Sequence, residues 1–190
     1  FFPPFFPPFF PPFFPPFFPP FFPPTFSRTC LDKNVMVLTK DGLKKAEDIV
    51  VGDILITISI PEISEAESEL PSIWSWNSET ISGVQLTETE VISVIPGSKS
   101  DRIYFNEMED VKFTYNHPVF IRRSSEYKVV QASYIEEGDY LIKLNSNNLI
   151  EEILVESITV LILDEAEPVY NYNCEPYDWY IAGGLLVHNK

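Results

Sequence analysis

The chain has 190 residues and a formal net charge of −15, which argues against nucleic-acid binding because that binding depends on Lys and Arg to neutralise phosphates. Two cysteines are too few for a disulfide scaffold and suit a reducing compartment, and no apolar run reaches the roughly 18 residues of a membrane span. We therefore expect a monomeric, cytoplasmic protein without nucleic-acid or membrane partners.

The chain begins with six copies of Phe-Phe-Pro-Pro, residues 1–24. Proline fixes φ and removes backbone donors, so this repeat can form neither a helix nor an interior strand. Its Pro-x-x-Pro spacing leaves a proline-recognition partner open, but an added or placeholder N-terminal flank is favoured. The other 166 of the 190 residues suffice for one globular domain. We expect a flank over 1–29, a folded domain over 30–189 and a single C-terminal flank residue, Lys190.

After the repeat, the sequence consists of short β-rich runs separated by turn residues, which predicts an all-β fold. Segments 43–50 and 130–136 are predicted to be short helical turns, and segment 61–84 an insertion or long loop. The predicted strands are 34–39, 53–60, 88–95, 101–104, 111–115, 118–122, 140–144, 152–163, 169–173 and 179–182.

One part of the sequence occurs twice. Residues 46–55 and 132–141 share Ala, Ile, Gly, Asp and Leu at identical spacing. Chance similarity is one explanation, and the other is that the domain has two related β subdomains. The second explanation predicts that each Gly-Asp pair makes the same tight turn into a strand.

A cysteine, a Thr-x-x-His segment and a terminal His-Asn pair are the components needed to cleave a chain from within. A thiol can attack the carbonyl on its own N-terminal side and form a thioester, so Cys30 is the predicted nucleophile at the Thr29–Cys30 bond. A nearby hydroxyl and imidazole, those of Thr114 and His117, can protonate the leaving nitrogen and stabilise the oxyanion.

The C-terminal pair predicts a second cleavage. The side-chain amide of Asn189 can attack its own main-chain carbonyl, close a succinimide and release Lys190, while His188 polarises that carbonyl or protonates the leaving nitrogen. The structural alternatives are an inert buried thiol at position 30, a non-catalytic histidine before Pro118 and a frayed C-terminal tail. The presence of all these residues together favours self-cleavage over these structural alternatives.

Four segments in this order resemble the motifs of the Hint superfamily, which contains inteins, bacterial intein-like domains and hedgehog-type autoprocessing domains. They are residues 30–53, 114–120, 169–173 and 184–189. The resemblance implies a pseudo-twofold, all-β horseshoe in which both termini meet at one centre. It also implies a self-acting, single-turnover element that needs no cofactor or metal and whose substrates are its own flanking segments, the exteins. The implied reactions are an N-to-S acyl shift at Cys30 and cyclisation of Asn189, giving self-cleavage or splicing.

Three positions depart from the family pattern. Lys190 stands where splicing inteins have Cys, Ser or Thr, which implies cleavage more than ligation, as in bacterial intein-like and phage Hint domains. Asp178 stands ten residues before His188, where inteins commonly have another His, and Asn171 replaces a frequent Asp. Asp178 is predicted to act as a base or to orient a water.

Two further alternatives stay open. Cys174 is predicted to be a core residue, with a redox bond to Cys30 as the alternative. The whole domain could be a catalytically decayed Hint fold that serves as a structural or binding module in a larger protein, of a phage or an exported protein for example.

Overall fold

The computed structural model describes residues 29–63 and 72–189. Apart from Thr29, the predicted N-terminal flank lies outside the described residues, and so does Lys190. No helix among the described residues is long and apolar enough to cross a membrane.

The described chain is almost entirely antiparallel β-structure, so the predicted all-β fold class is confirmed. It contains one short helix, α1 (Ser72–Ser75), and 3-10 turns at Ala46–Asp48 and Ala132–Tyr134. The strands are β1 (Leu31–Asp32), β2 (Met36–Thr39), β3 (Gly42–Lys45), β4 (Ile54–Ser59), β5 (Asn77–Ser78), β6 (Gln85–Phe105), β7 (Pro118–Arg123), β8 (Glu126–Gln131), β9 (Tyr140–Leu144), β10 (Ile150–Leu154), β11 (Ile158–Glu175), β12 (Trp179–Ala182) and β13 (Leu185–His188).

Several predicted elements differ from the observed ones. The predicted strands 88–95 and 101–104 are one strand, β6, which pairs with β11 from Phe105↔Ile158 to Glu90↔Glu175. The residues between the two predicted strands are themselves paired with β11, from Pro96↔Tyr170 to Lys99↔Glu167, and a register shift follows between Glu167 and Ile162. Predicted strand 152–163 is divided between β10 and β11. Predicted helical turns 43–50 and 130–136 are 3-10 only at 46–48 and 132–134, because the residues before them pair as β3 and β8.

The predicted strand 111–115 is wrong, and this matters for the site. Within this segment Phe113 alone forms isolated bridges, to Leu31 and to Ile103. The segment thereby crosses the start of the domain and brings the residue after Phe113 next to Cys30.

The last two strands lie in the middle of the sheet. In the main strand order, β1-β11-β6-β4-β2-β12-β13-β9-β7-β8-β5, the hairpin β12–β13 has neighbours on both sides. All eight of its strand residues are buried. Burial of each large apolar side chain contributes about 1.5–3 kcal/mol, so this terminal segment is held in the core rather than frayed.

The internal sequence repeat corresponds to a structural repeat. Gly52 and Gly138 have φ of +92° and +97°, a region that glycine adopts without steric cost. The next residue in each half, Asp53 or Asp139, accepts a hydrogen bond from the backbone N–H three residues earlier, at 2.7 and 2.9 Å. The repeated Gly-Asp pair therefore makes the same turn into β4 and β9.

The two halves also match before this turn. The N–H of Ala46 donates to Val35 O at 2.8 Å, and the N–H of Ala132 donates to His117 O at 2.8 Å. His117 thus occupies, in the second half, the place that the buried Val35 has in the first. The fold supplies a core position, and the second half places an imidazole there.

Candidate active site

The start of the domain is held by Thr114 on both sides of Cys30. The N–H of Cys30, which is the nitrogen of the Thr29–Cys30 peptide bond, donates to Thr114 Oγ1 at 2.9 Å. The N–H of Thr114 donates to Cys30 O at 2.9 Å, and Thr114 Oγ1 lies 3.2 Å from both Cys30 O and Asn116 Oδ1. Cys30 and Thr114 are fully buried. This network fixes the leaving nitrogen of the predicted N-terminal cleavage against a hydroxyl.

His117 is a buried, neutral imidazole. Its ring lies parallel to that of Phe113, with the centroids 5.1 Å apart and an interplanar angle of 6°. Neither ring nitrogen has a hydrogen-bond partner among residues 29–63 and 72–189. Burial, followed by repulsion from His188, lowers the pKa of His117 from 6.5 to about 3. Such unpartnered buried nitrogens are rare in folded proteins and point to a reacting group or a water as their partner.

The two histidines lie at the same end of one strand pair. β13 pairs with β7 through Val187↔Val119 in antiparallel register. In such a ladder, His188 lies opposite Pro118, the neighbour of His117, so both histidines lie at this end of the strand pair. The repulsion between their charged forms agrees with this placement. His188 is fully buried, and its ring is tilted against that of Trp179, with the centroids 6.4 Å apart.

Asp178 holds the C-terminal asparagine through two hydrogen bonds. The backbone N–H of Asn189 donates to Asp178 O at 2.7 Å, and its side-chain Nδ2 donates to Asp178 Oδ1 at 2.9 Å. Asn189 is fully buried, and its Oδ1 has no partner in the part of the chain that the structure describes. The nitrogen predicted to attack is therefore in contact with a carboxylate that can accept its proton.

Cys174 is a core residue, as predicted, and it also lies next to Asn189. Burial raises the pKa of its thiol to about 12, while a hydrogen bond from the Asn189 side chain favours the thiolate. The two cysteines form no disulfide. No motif or spacing in the sequence indicated that Cys174 would contact Asn189.

In residues 29–63 and 72–189, no group of three or more His, Cys, Asp or Glu side chains is arranged to hold a metal ion.

The chain superposes on solved structures of intein-like proteins. A bacterial intein-like domain from Clostridium thermocellum matches with a TM-score of 0.59 and 22% sequence identity, over 84% of this chain and 98% of that chain. The AceL NrdHF class 3 split intein matches with a TM-score of 0.64 and 19% identity, over 85% of this chain and 98% of that chain. The chain has the Hint fold.

Comparison by sequence finds one partial match. No protein-family model matches the chain. An uncharacterized protein of Methanocaldococcus jannaschii, MJ0781, is 31% identical over 93 residues, which is 46% of this chain and 12% of that protein. The chain therefore spans about an eighth of the length of the curated relative that it matches. The structural superpositions establish the Hint fold, whereas these sequence identities show nothing of the chemistry at the site.

Proposed function

We propose that this Hint domain cleaves its own backbone at both ends, before Cys30 and after Asn189. The observation that carries the proposal is the 2.9 Å hydrogen bond between the N–H of Cys30 and Thr114 Oγ1, because it places a hydroxyl on the nitrogen of the bond to be broken. The substrates are the polypeptide segments that flank the domain, and each molecule acts once.

At the N-terminal end, Cys30 Sγ attacks the carbonyl carbon of Thr29. The C–S bond forms, the C–N bond breaks, and the thiol proton is transferred to the released amine of Cys30. Thr114 holds that nitrogen during the step. Water or an external thiol then attacks the thioester and releases the N-terminal flank.

His117 assists because it is neutral at the start. With a pKa of about 3 it is a weak base in the resting protein. Negative charge that develops on the thiol or the carbonyl oxygen favours the imidazolium form, so the pKa of His117 rises as the reaction proceeds. Its unpartnered ring nitrogens can then take the thiol proton and pass it to the leaving nitrogen. General acid-base help of this kind contributes about 10²–10⁴-fold.

At the C-terminal end, Asn189 Nδ2 attacks the main-chain carbonyl carbon of its own residue. The new C–N bond closes a succinimide, the bond to Lys190 breaks, and the nitrogen of Lys190 takes a proton. Asp178 Oδ1, 2.9 Å from Nδ2, accepts the proton that Nδ2 loses. In this chain Asp178 thus assumes the assistance that inteins commonly obtain from a histidine at that position, and His188 polarises the carbonyl.

Lys190 decides between cleavage and splicing. Its side chain supplies neither a thiol nor a hydroxyl to receive the N-terminal flank from the Cys30 thioester. We therefore expect separated flanks as the main products.

The test is a fusion with a folded partner protein at each end, followed by intact-mass measurement with and without added thiol. We expect fragments that end at Thr29 and at Asn189. Cys30→Ala should abolish N-terminal cleavage and leave C-terminal cleavage, whereas Cys174→Ser, which changes the other buried cysteine, should leave N-terminal cleavage in place. A joined product of both partners would indicate splicing, and an unchanged mass would indicate the decayed module.

The role of Asp178 has a separate test. Asp178→Asn keeps the size of the side chain but cannot take a proton from Nδ2, so C-terminal cleavage should slow about 10²-fold. Release of the N-terminal flank by thiol should keep its rate. An unchanged C-terminal rate would exclude Asp178 as the base.

A further inference from the structure

The turn that carries Asp178 is held by a side chain from a distant strand. Thr89 lies in β6, and only 1% of it is exposed, whereas its neighbours Glu88 and Glu90 are exposed. Its hydroxyl donates to Tyr177 O at 2.8 Å and accepts from the N–H of Tyr177 at 3.2 Å. One hydroxyl thereby fixes both peptide units of the residue before Asp178.

This contact lies one residue from the groups that hold Asn189. The carbonyl oxygen and the carboxylate of Asp178 accept hydrogen bonds from the backbone and the side chain of Asn189, at 2.7 and 2.9 Å. Both bonds require the Asp178 backbone in one position. The peptide unit that joins Tyr177 to Asp178 is the unit whose oxygen Thr89 binds.

A second buried threonine shows what the hydroxyl of Thr89 adds. Thr57 in the neighbouring strand β4 is fully buried, and its Oγ1 has no hydrogen-bond partner among the described residues. A threonine in a strand is favoured for its β-branched shape alone, which valine shares. Thr57 illustrates that case, whereas the hydroxyl of Thr89 makes two hydrogen bonds to a turn near the reacting group.

We propose that Thr89 is a positioning residue for the C-terminal cleavage, acting on Asn189 through the Tyr177–Asp178 turn. The inference rests on the proposed function and extends it to a residue outside the sequence motifs. Ring closure requires the attacking nitrogen and the carbonyl carbon within about 3–3.5 Å, and a displacement of about 1 Å can cost on the order of 10²-fold in rate. Without the two hydrogen bonds from Thr89, the Tyr177–Asp178 turn can undergo displacements of this size.

The kinetic test uses Thr89→Val, which keeps the shape and removes the hydroxyl, in the two-partner fusion. We expect C-terminal cleavage to slow on the order of 10-fold, with an unchanged rate of N-terminal release by thiol. Thr89→Ser should restore the wild-type rate, and the matched control Thr57→Val should change neither rate. If Thr89→Val and Thr57→Val cleave alike at the C-terminus, the proposal is wrong.

A second measurement works without any cleavage, so the two proposals can fail separately. In an Asn189→Ala background, the backbone N–H of residue 189 is retained, and hydrogen exchange reports its bond to Asp178 O. Thr89→Val should raise that exchange rate on the order of 10-fold, and Thr57→Val should not, because local openings are governed by the bonds lost. If Thr89→Val does not fold, Thr89→Ala replaces it. An unchanged exchange rate in Thr89→Val would show that Thr89 does not position the turn, even if the fusion protein cleaves itself. A faster exchange rate, together with no cleavage by the fusion protein without substitutions, would refute only the proposed cleavage reaction.

Discussion

The buried imidazole of His117 should make the folding stability of this domain fall at mildly acidic pH. Its pKa of about 3 in the folded state lies below the usual 6.5, first because of burial and then because of His188. Above pH 6.5 the imidazole is neutral in both states and contributes nothing. Between pH 6.5 and 3 the unfolded chain binds a proton that the folded chain does not, so stability falls as the pH falls. The difference corresponds to about 1.4 kcal/mol per pH unit and about 5 kcal/mol at pH 3.

Urea unfolding between pH 7.5 and 4.5 measures this contribution. The protein carries Cys30→Ala and Asn189→Ala to stop processing, and it is compared with the same protein carrying His117→Gln. The carboxylates titrate in both proteins and cancel in the difference. We expect the free energies of unfolding to converge by about 2 kcal/mol between pH 6.5 and 5, as the protein with His117 loses stability faster. Parallel curves over this range would refute a neutral, buried His117.

Two further predictions concern stability. Gly183→Ala should lower the free energy of unfolding by about 2–4 kcal/mol, because a Cβ there would clash with the Val111 side chain in addition to the strain of a φ of +58°. Gly184→Ala, at φ +79° with its nearest contact at 3.5 Å, should lose only about 1–2 kcal/mol. Arg102→Met should cost about 3–5 kcal/mol, because the fully buried Arg102 pairs with Asp32 at 2.8 Å and its loss leaves a nearly buried carboxylate without that cation. Urea denaturation measures all three variants.

An exposed ion pair provides the control for Arg102. Lys40 and Glu88 pair at 3.0 Å, but about half of each side chain is exposed, so Lys40→Met should change the unfolding free energy by less than about 1 kcal/mol. Equal losses for the two substitutions would contradict the role of burial. Likewise, equal losses for the two glycine variants would show that Val111 yields to the added Cβ.

The sequence by itself determined the elements whose signal is local. Strands 140–144 and 179–182 were predicted at their observed bounds, since each is a short apolar run bounded by turn residues. The repeated Gly-Asp pair predicted two related turns because the positive φ of Gly52 and Gly138 is a property of glycine itself. The order of the motifs was sufficient to indicate the Hint fold.

The tertiary structure decided what depends on pairing between distant segments. Strand β6 reads as two strands in the sequence, and its continuity follows from its partner β11. Phe113 and Thr114 read as part of a strand in the sequence. In the structure Phe113 bridges to Leu31, and Thr114 binds Cys30, which is 84 residues away in the chain.

The same reason explains the site residues that the sequence did not reveal. Thr89 and Tyr177 are 88 positions apart, and Cys174 contacts the side chain of Asn189 across the buried hairpin β12–β13 that separates them in the sequence. Periodicity and turn chemistry act over a few residues, whereas the register of a sheet is fixed by the combined burial of many side chains. Local sequence therefore indicated the candidate reacting groups, and the register of the sheet decided which other groups contact them.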